Sequence, residues 1–308
     1  MLIAHLSDLH ISRKFKSENI DKTRWVIEKA LESGAEHFVF TGDISDNADV
    51  KDYTIFRNIL NRFGLLDTDK STVIIGNHDI FGGVQTAMDV VNFPGRCRQT
   101  DYEKRVIDFT DELHELFEKA YFPLAEKVFP FAKQVSDTLL IGLNSIERFS
   151  GLKNPFASNG RVDEDQKNGF INICKKEEYN SLKKLVLIHH HFYKRNVEAS
   201  SSQNKIWEKL ESWTLKLRGK KKLMRLFNDM AIEMVLHGHS HEIKEYFRKG
   251  IRFMNAGASI DNGNENDAKL ILVNTEIEKL SVHIETVNPT KLLRSRPVDF
   301  PTPIKASA

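Results

Sequence analysis

Apolar positions come in short blocks, and the spacing changes from block to block. Leu2 to Leu6 is a continuous apolar run that predicts a buried strand ending at Asp8. Asp21 to Ser33 predicts a helix with a mixed face of Trp25, Val26, Lys29 and Ala30, stopped by Gly34. His37 to Thr41 predicts the next strand, which runs into Gly42-Asp43. Tyr53 to Phe63 places Ile55, Phe56, Ile59, Leu60 and Phe63 at helical spacing before Gly64. Thr72 to Ile75 predicts a strand ending at Gly76. Strands alternating with helices predict a parallel sheet with right-handed crossovers.

Further on, Tyr102 to Phe122 predicts one long helix ended by Pro123. Thr138 to Leu143, Lys184 to Ile188 and Glu233 to Leu236 predict strands. They lead into Asn144-Ser145, His189-His190-His191 and Gly238-His239. Ile251 to Met254, Leu270 to Asn274 and Leu280 to Val287 follow without helices between them, which predicts an antiparallel meander. The expected fold class is α/β. Two sheets, one mostly parallel and one more mixed, pack face to face with helices outside. Residues 1–287 are expected to form one domain, with a helical insert at about 203–230 and an extended tail over 288–308.

The insert has two stripes. Ile206, Leu210, Trp213 and Leu217 make the first; Leu223, Leu226, Phe227 and Met230 make the second. A basic stretch near Gly219 separates them, so the pattern predicts a helical hairpin. Core packing with a solvated basic turn is the favoured reading. A lid or a peripheral lipid contact beside a functional site is the alternative.

Composition narrows the class. The 308 residues carry 45 Lys plus Arg against 43 Asp plus Glu, a net charge of +2. That balance argues against a dedicated nucleic-acid binder. An apolar share of 40% suffices for a packed core. Cys97 and Cys174 are not in a Cys-x-x-Cys pair, which argues against a thiolate zinc site. The first residues do not read as a signal peptide, and no stretch reaches membrane-span length. The expectation is a soluble cytoplasmic protein.

Five separated pieces carry the chemistry: Asp8-Leu9-His10, Gly42-Asp43, Gly76-Asn77-His78-Asp79, His189-His190-His191 and Gly238-His239-Ser240-His241. Each follows a predicted strand, where an α/β sheet delivers side chains to a common edge. Carboxylates, an amide and imidazoles suit two hard or borderline divalent ions acting on phosphate. Manganese, iron and zinc all fit such a donor set. Two dications held close together need a bridging anion, which is assigned to Asp43. Asp8 and His10 converge through an i, i+2 turn, and His239 and His241 repeat that geometry. Asn77 supplies a neutral oxygen. His78 points elsewhere and is read as the group that protonates the leaving oxygen, supported by Asp46. The two ions would share a water acidic enough to exist as a bridging hydroxide near neutral pH.

In this order the five pieces resemble the calcineurin-like metallophosphoesterase superfamily, and its small-molecule and cyclic-nucleotide phosphodiesterase branch in particular. The resemblance runs from Asp8 to His241. It implies a four-layer α/β/β/α sandwich with two mixed sheets and a dinuclear centre. It implies that Asp8, His10, Asp43 and His241 hold one metal, and that Asp43, Asn77, His189 and His239 hold the other. It favours His189 over His190 and His191, makes His78 the catalytic histidine, and makes Asp46 the acid that orients it. Phe192 stands where that branch has proline, and Asn47-Ala48 stands where the phosphoprotein phosphatases have Arg-Gly.

The expected function is hydrolysis of a small phosphodiester. A phosphomonoesterase or pyrophosphatase acting on a nucleotide or lipid-linked substrate is the alternative. A DNA nuclease and an inactive scaffold rank lower. Arg13, Lys14, Arg96 and Asn144 are weaker candidates for facing the substrate, since exposed basic residues are the norm.

Overall fold

Thirteen strands and seven α-helices order the described residues of the computed structural model, which are 1–193, 216–257, 259–262, 267–276 and 280–288. The strands are β1 (Leu2–Leu6), β2 (His37–Thr41), β3 (Ser71–Ile74), β4 (Phe131–Val135), β5 (Thr138–Leu143), β6 (Gly160–Arg161) and β7 (Lys183–Ile188). They continue with β8 (Leu217–Arg218), β9 (Met234–His237), β10 (Ile243–Arg248), β11 (Ile251–Ala256), β12 (Ala268–Asn274) and β13 (Ser281–Val287). The helices are α1 (Glu18–Glu32), α2 (Val50–Arg62), α3 (Asn77–Phe81), α4 (Ala87–Gln99), α5 (Tyr102–Glu112), α6 (Glu164–Cys174) and α7 (Lys220–Asp229).

One sheet has the order β13-β12-β1-β2-β3 and the other β10-β11-β9-β7-β5-β4. Both are mixed. β1, β2 and β3 run parallel, and β12 and β13 add antiparallel. β5, β7, β9 and β11 run parallel, with β4 and β10 antiparallel at the two edges.

Side-chain alternation explains the layering. Leu140, Leu185, Leu187, Leu236 and Met254 point into one cluster with the first sheet, α1 and α2. Leu139, Ile141, Val186, Ile188, Val235 and Phe253 point the other way, onto Phe170 and Ile173 of α6 and Leu223, Met224 and Phe227 of α7. The order is therefore helix, sheet, sheet, helix. A sheet covered on both faces reads as a continuous apolar run, as Leu185 to Ile188 of β7 do.

Three local expectations are corrected, and one helix is added. The long helix from Tyr102 stops at Glu112, and a 3-10 turn, His114–Phe117, follows. The expected meander is split between sheets, since β11 pairs with β9 and β12 pairs with β1. Leu217 lies in the short strand β8 beside Gly160, not on a helix. Helix α4 was not expected, because Pro94 and Gly95 lie inside it and weaken its pattern. Gly219 does turn the chain, at φ 72°, and α7 presents its stripe to the core. The first half of the expected hairpin and the tail from residue 289 lie outside the described residues.

A buried cation clips the two sheets together at one edge. Lys133 on β4 donates to the carbonyls of Thr68, Ser71 and Leu116 at 2.9, 2.7 and 2.7 Å. Burial pulls its pKa down to about 7, while three carbonyls match the three N–H groups of the charged form. Lys133→Met removes the donor these buried carbonyls share and should cost about 3 kcal/mol. The urea midpoint should fall at an unchanged slope. An unaltered midpoint would show that the clip contributes nothing.

Candidate metal centre

Main-chain hydrogen bonds gather the strand ends. Asp8 N donates to Gly42 O at 3.1 Å, and His10 N to Asp43 O at 3.0 Å. Gly238 N donates to His189 O at 3.0 Å. The His239 amide then crosses between sheets, donating to the Asp8 carboxylate oxygens at 3.0 and 3.2 Å. Only glycine permits this approach. A Cβ on Gly76 would stand 2.2 Å from Asp43 Oδ1, and one on Gly238 would stand 1.9 Å from Ser7 Oγ.

The backbone at these turns is unusual. Among the described residues, Asp8, His10, Asp43, His239 and His241 have φ between 46° and 74°. A left-handed conformation costs a non-glycine residue roughly 1–2 kcal/mol. Five such residues meeting at one place point to a functional constraint.

Four donors converge on one position. His189 Nε2 lies 3.1 Å from Asn77 Oδ1, 3.2 Å from Asp43 Oδ2 and 3.2 Å from His239 Nδ1. Two ligands about 2.1 Å from a common ion are themselves about 3.0–3.4 Å apart. The spacing thus fits the edges of a coordination polyhedron. His189 Nδ1 lies 2.8 Å from Thr41 O, an acceptor, so it carries a proton and Nε2 is the nitrogen turned inward. Burial opposes charge on His189, but Asp43 outweighs it and pushes the pKa up to about 9. The same field would draw a cation to that position. Burial and the neighbouring histidines hold His239 well below the ordinary range, so it is a neutral donor.

A second, wider group lies alongside. His10 Nε2 is 3.9 Å from both Asp8 Oδ1 and Asp43 Oδ2, and His241 Nε2 is 3.8 Å from Asp8 Oδ1. The rings of His10 and His241 stack with centroids 5.1 Å apart. His10 Nε2 is buried without a hydrogen-bond partner, which is costly unless something binds it. His241 is 44% exposed, so this half opens to solvent.

Asp43 joins the halves. Its Oδ1 accepts from the His78 amide at 2.8 Å, leaving Oδ2 between His10 and His189. One carboxylate oxygen faces both groups, which is the arrangement that two neighbouring cations require. The structure therefore brings together all seven residues read as ligands from the sequence.

His78 stands at the rim, with its ring 4.5 Å from that of His10. Its Nδ1 lies 3.1 Å from Asp46 O and 3.6 Å from Asp46 Oδ1. Burial opposes its charge, yet Asp43 and Asp46 push the pKa up to about 9. Asp46 does more than the sequence indicated. It also lies 3.4 Å from His10 Nδ1, and it receives Lys16 Nζ at 3.3 Å and Gln85 Nε2. Burial works against its ionised form, but His10 and His78 hold its pKa well below the carboxylate range.

Several positioning residues escaped the sequence reading. Asp79 accepts from the amides of Gly76, Ser45 and Ile44 at 2.8, 2.9 and 3.3 Å, tying the Asp43 loop to the start of α3. Burial and the charge of Asp43 push its pKa up to about 7. An acid at the third position of a helix was the available signal. His190 is buried against the His239 ring, with centroids 4.2 Å apart, and its ring nitrogens lie 2.8 Å from Ser145 Oγ and 3.2 Å from Ser158 O. His191 packs on Tyr193, with ring centroids 4.7 Å apart. Phe192 is a core residue against Phe253. Asn144 is tied to Gln166 and Tyr102. Arg96 donates to Gly83 O and covers the Phe93 ring, while Arg13 and Lys14 are exposed.

A helix-sheet-sheet-helix sandwich carrying this centre on its strand ends is a metal-dependent phosphoester hydrolase. The chain belongs to the calcineurin-like phosphoesterase family, whose model matches residues 1–242. Two solved structures share the fold. A dimetal phosphatase from Danio rerio superposes with a TM-score of 0.59 at 10% identity, covering 94% of this chain and 98% of that one. A purple acid phosphatase, PPD1, from seeds of yellow lupin (Lupinus luteus) gives 0.53 at 12% identity, covering all of this chain and 57% of its own. No protein of curated function matches by sequence. Among the described residues, no helix is long and apolar enough to cross a membrane.

Proposed function

We propose that the chain hydrolyses phosphodiesters, with Asp8, His10, Asp43 and His241 holding one divalent ion and Asp43, Asn77, His189 and His239 the other. The observation that carries this is the single Asp43 oxygen facing both donor groups. Two ions bound there would neutralise phosphoryl charge and supply hydroxide near neutral pH. The remaining work falls to the chain. His78 sits at the open rim and donates a proton to the leaving oxygen. Asp46 fixes the imidazole through Nδ1, leaving Nε2 to face the substrate. Thr41 fixes His189 in the same way, and the Asp46 carboxylate faces His10 Nδ1 at 3.4 Å. Manganese, iron or zinc would suit the nitrogen and oxygen donors.

Charge favours a diester. Lys16 reaches the edge of the centre but is paired with Asp46 at 3.3 Å and with Asp261 at 2.7 Å. Its charge is thus largely neutralised by the protein, which suits a singly charged diester better than a dianionic monoester. Reduced, buried Cys97 and Cys174 accord with action in the cytoplasm.

Hydrolysis of bis-p-nitrophenyl phosphate beside p-nitrophenyl phosphate, with manganese, tests this reading. The diester should be cleaved faster, and a chelator should abolish both activities. Cleavage of the monoester alone would refute the diester preference.

A further inference from the structure

Helix α4 is apolar on two sides. Phe93 and Cys97 face the core. On the other side of the helix Met88 and Val91 are 68% and 75% exposed, and Val84, in the segment that leads into it, is 41% exposed. Exposed Arg98 continues the same stripe two turns further. Among the described residues only one of these two apolar sides is covered, which leaves the other to meet a partner.

The stripe begins at the metal centre. Gly83 N donates to Asp46 O at 2.7 Å, and a Cβ on Gly83 would stand 2.8 Å from the His78 ring. Gln85 Nε2 donates to Asp46 Oδ2, so Val84 lies between two contacts with the His78–Asp46 pair. Lys16 reaches the other oxygen of the Asp46 carboxylate. Ahead of Lys16, Arg13, Lys14 and Phe15 are exposed, Phe15 by 52%. Ser12 Oγ accepts from the Phe15 amide and from Asn47 Nδ2, both at 3.4 Å, which fixes this loop beside Asp46. Two apolar and basic elements therefore flank one buried carboxylate beneath His78.

We propose that this rim docks on an anionic phospholipid surface and that the substrate is a lipid-borne phosphoester. The occupant follows from the paired chemistries. Val84, Met88, Val91 and Phe15 suit the acyl boundary, while Arg13, Lys14 and Arg98 suit lipid phosphates. Docking would place the open half of the metal centre over the headgroups. The substrate class rests on the phosphoesterase reading; the docking does not, because it is measured without turnover.

Co-sedimentation of the full chain with vesicles tests the proposal. The chain should sediment with phosphatidylcholine mixed with phosphatidylglycerol and not with phosphatidylcholine alone, and salt should release it. Met88→Asp combined with Val91→Asp should lower the bound fraction about tenfold. Arg98→Ser should lower it about fivefold. Both variants should still cleave soluble bis-p-nitrophenyl phosphate at the wild-type rate, which also reports folding. Wild type that ignores the mixed vesicles, or a double variant that binds them equally, overturns the docking. A dimer in analytical ultracentrifugation that the double variant dissociates also overturns it, by assigning the face to a second copy of the chain. Vesicle binding by wild type that cleaves no soluble ester supports the docking and counts against the phosphoesterase reading alone.

Discussion

Asp43→Asn is expected to strip both ions and to lower turnover by about 10³-fold, since an activating metal is worth several kcal/mol. The substitution keeps size and shape. It also keeps the oxygen that accepts from the His78 amide, so the loop has no reason to move. What it removes is the negative charge shared between His10 and His189. Two dications brought close together without a bridging anion repel each other strongly in a buried site. Occupancy by elemental analysis should fall for both metals together, because the lost oxygen belongs to both groups. Loss of one ion alone would show that Asp43 serves a single site. Retention of both at full rate would refute the bridge.

His78→Ala should leave both metals in place and lower turnover by about 10²–10⁴-fold, the usual worth of a positioned acid or base. His78 touches the centre through its amide, which alanine retains, and its ring stands at the rim. The loss should shrink for an ester whose leaving group needs no proton, because such a group departs unaided. A preparation lacking metal would make His78 a ligand. An undiminished rate on a poor leaving group would deny it any part in proton transfer.

Much of this centre is legible before folding. The chain marks each strand end with a glycine or an abrupt change from apolar to polar, as at Leu6, Thr41 and Ile188. Those signals are local, and so is the choice of carboxylate, amide or imidazole that follows. The boundaries of β1, β2 and β5 match the pattern residue for residue. Elements failed where local signals conflict. Helix α4 contains Pro94 and Gly95 and is apolar on two sides, so no single period describes it. The strands β11 and β12 look consecutive, yet they sit in different sheets, because pairing depends on partners far away in sequence.

The sequence by itself determined the donor types, their order along the chain and their placement at strand ends, because these depend on side-chain chemistry and short-range periodicity. Only the tertiary structure decided how they are used. It aimed His189 at Asp43 and Asn77, and it held His190 by Ser145 and Ser158 instead. It left one oxygen of Asp43 free by fixing the other to an amide 35 residues away. It set Asp46 beneath both His10 and His78, and it left Met88 and Val91 in solvent beside them. Each of these outcomes depends on contacts between residues distant in sequence, which no local pattern encodes.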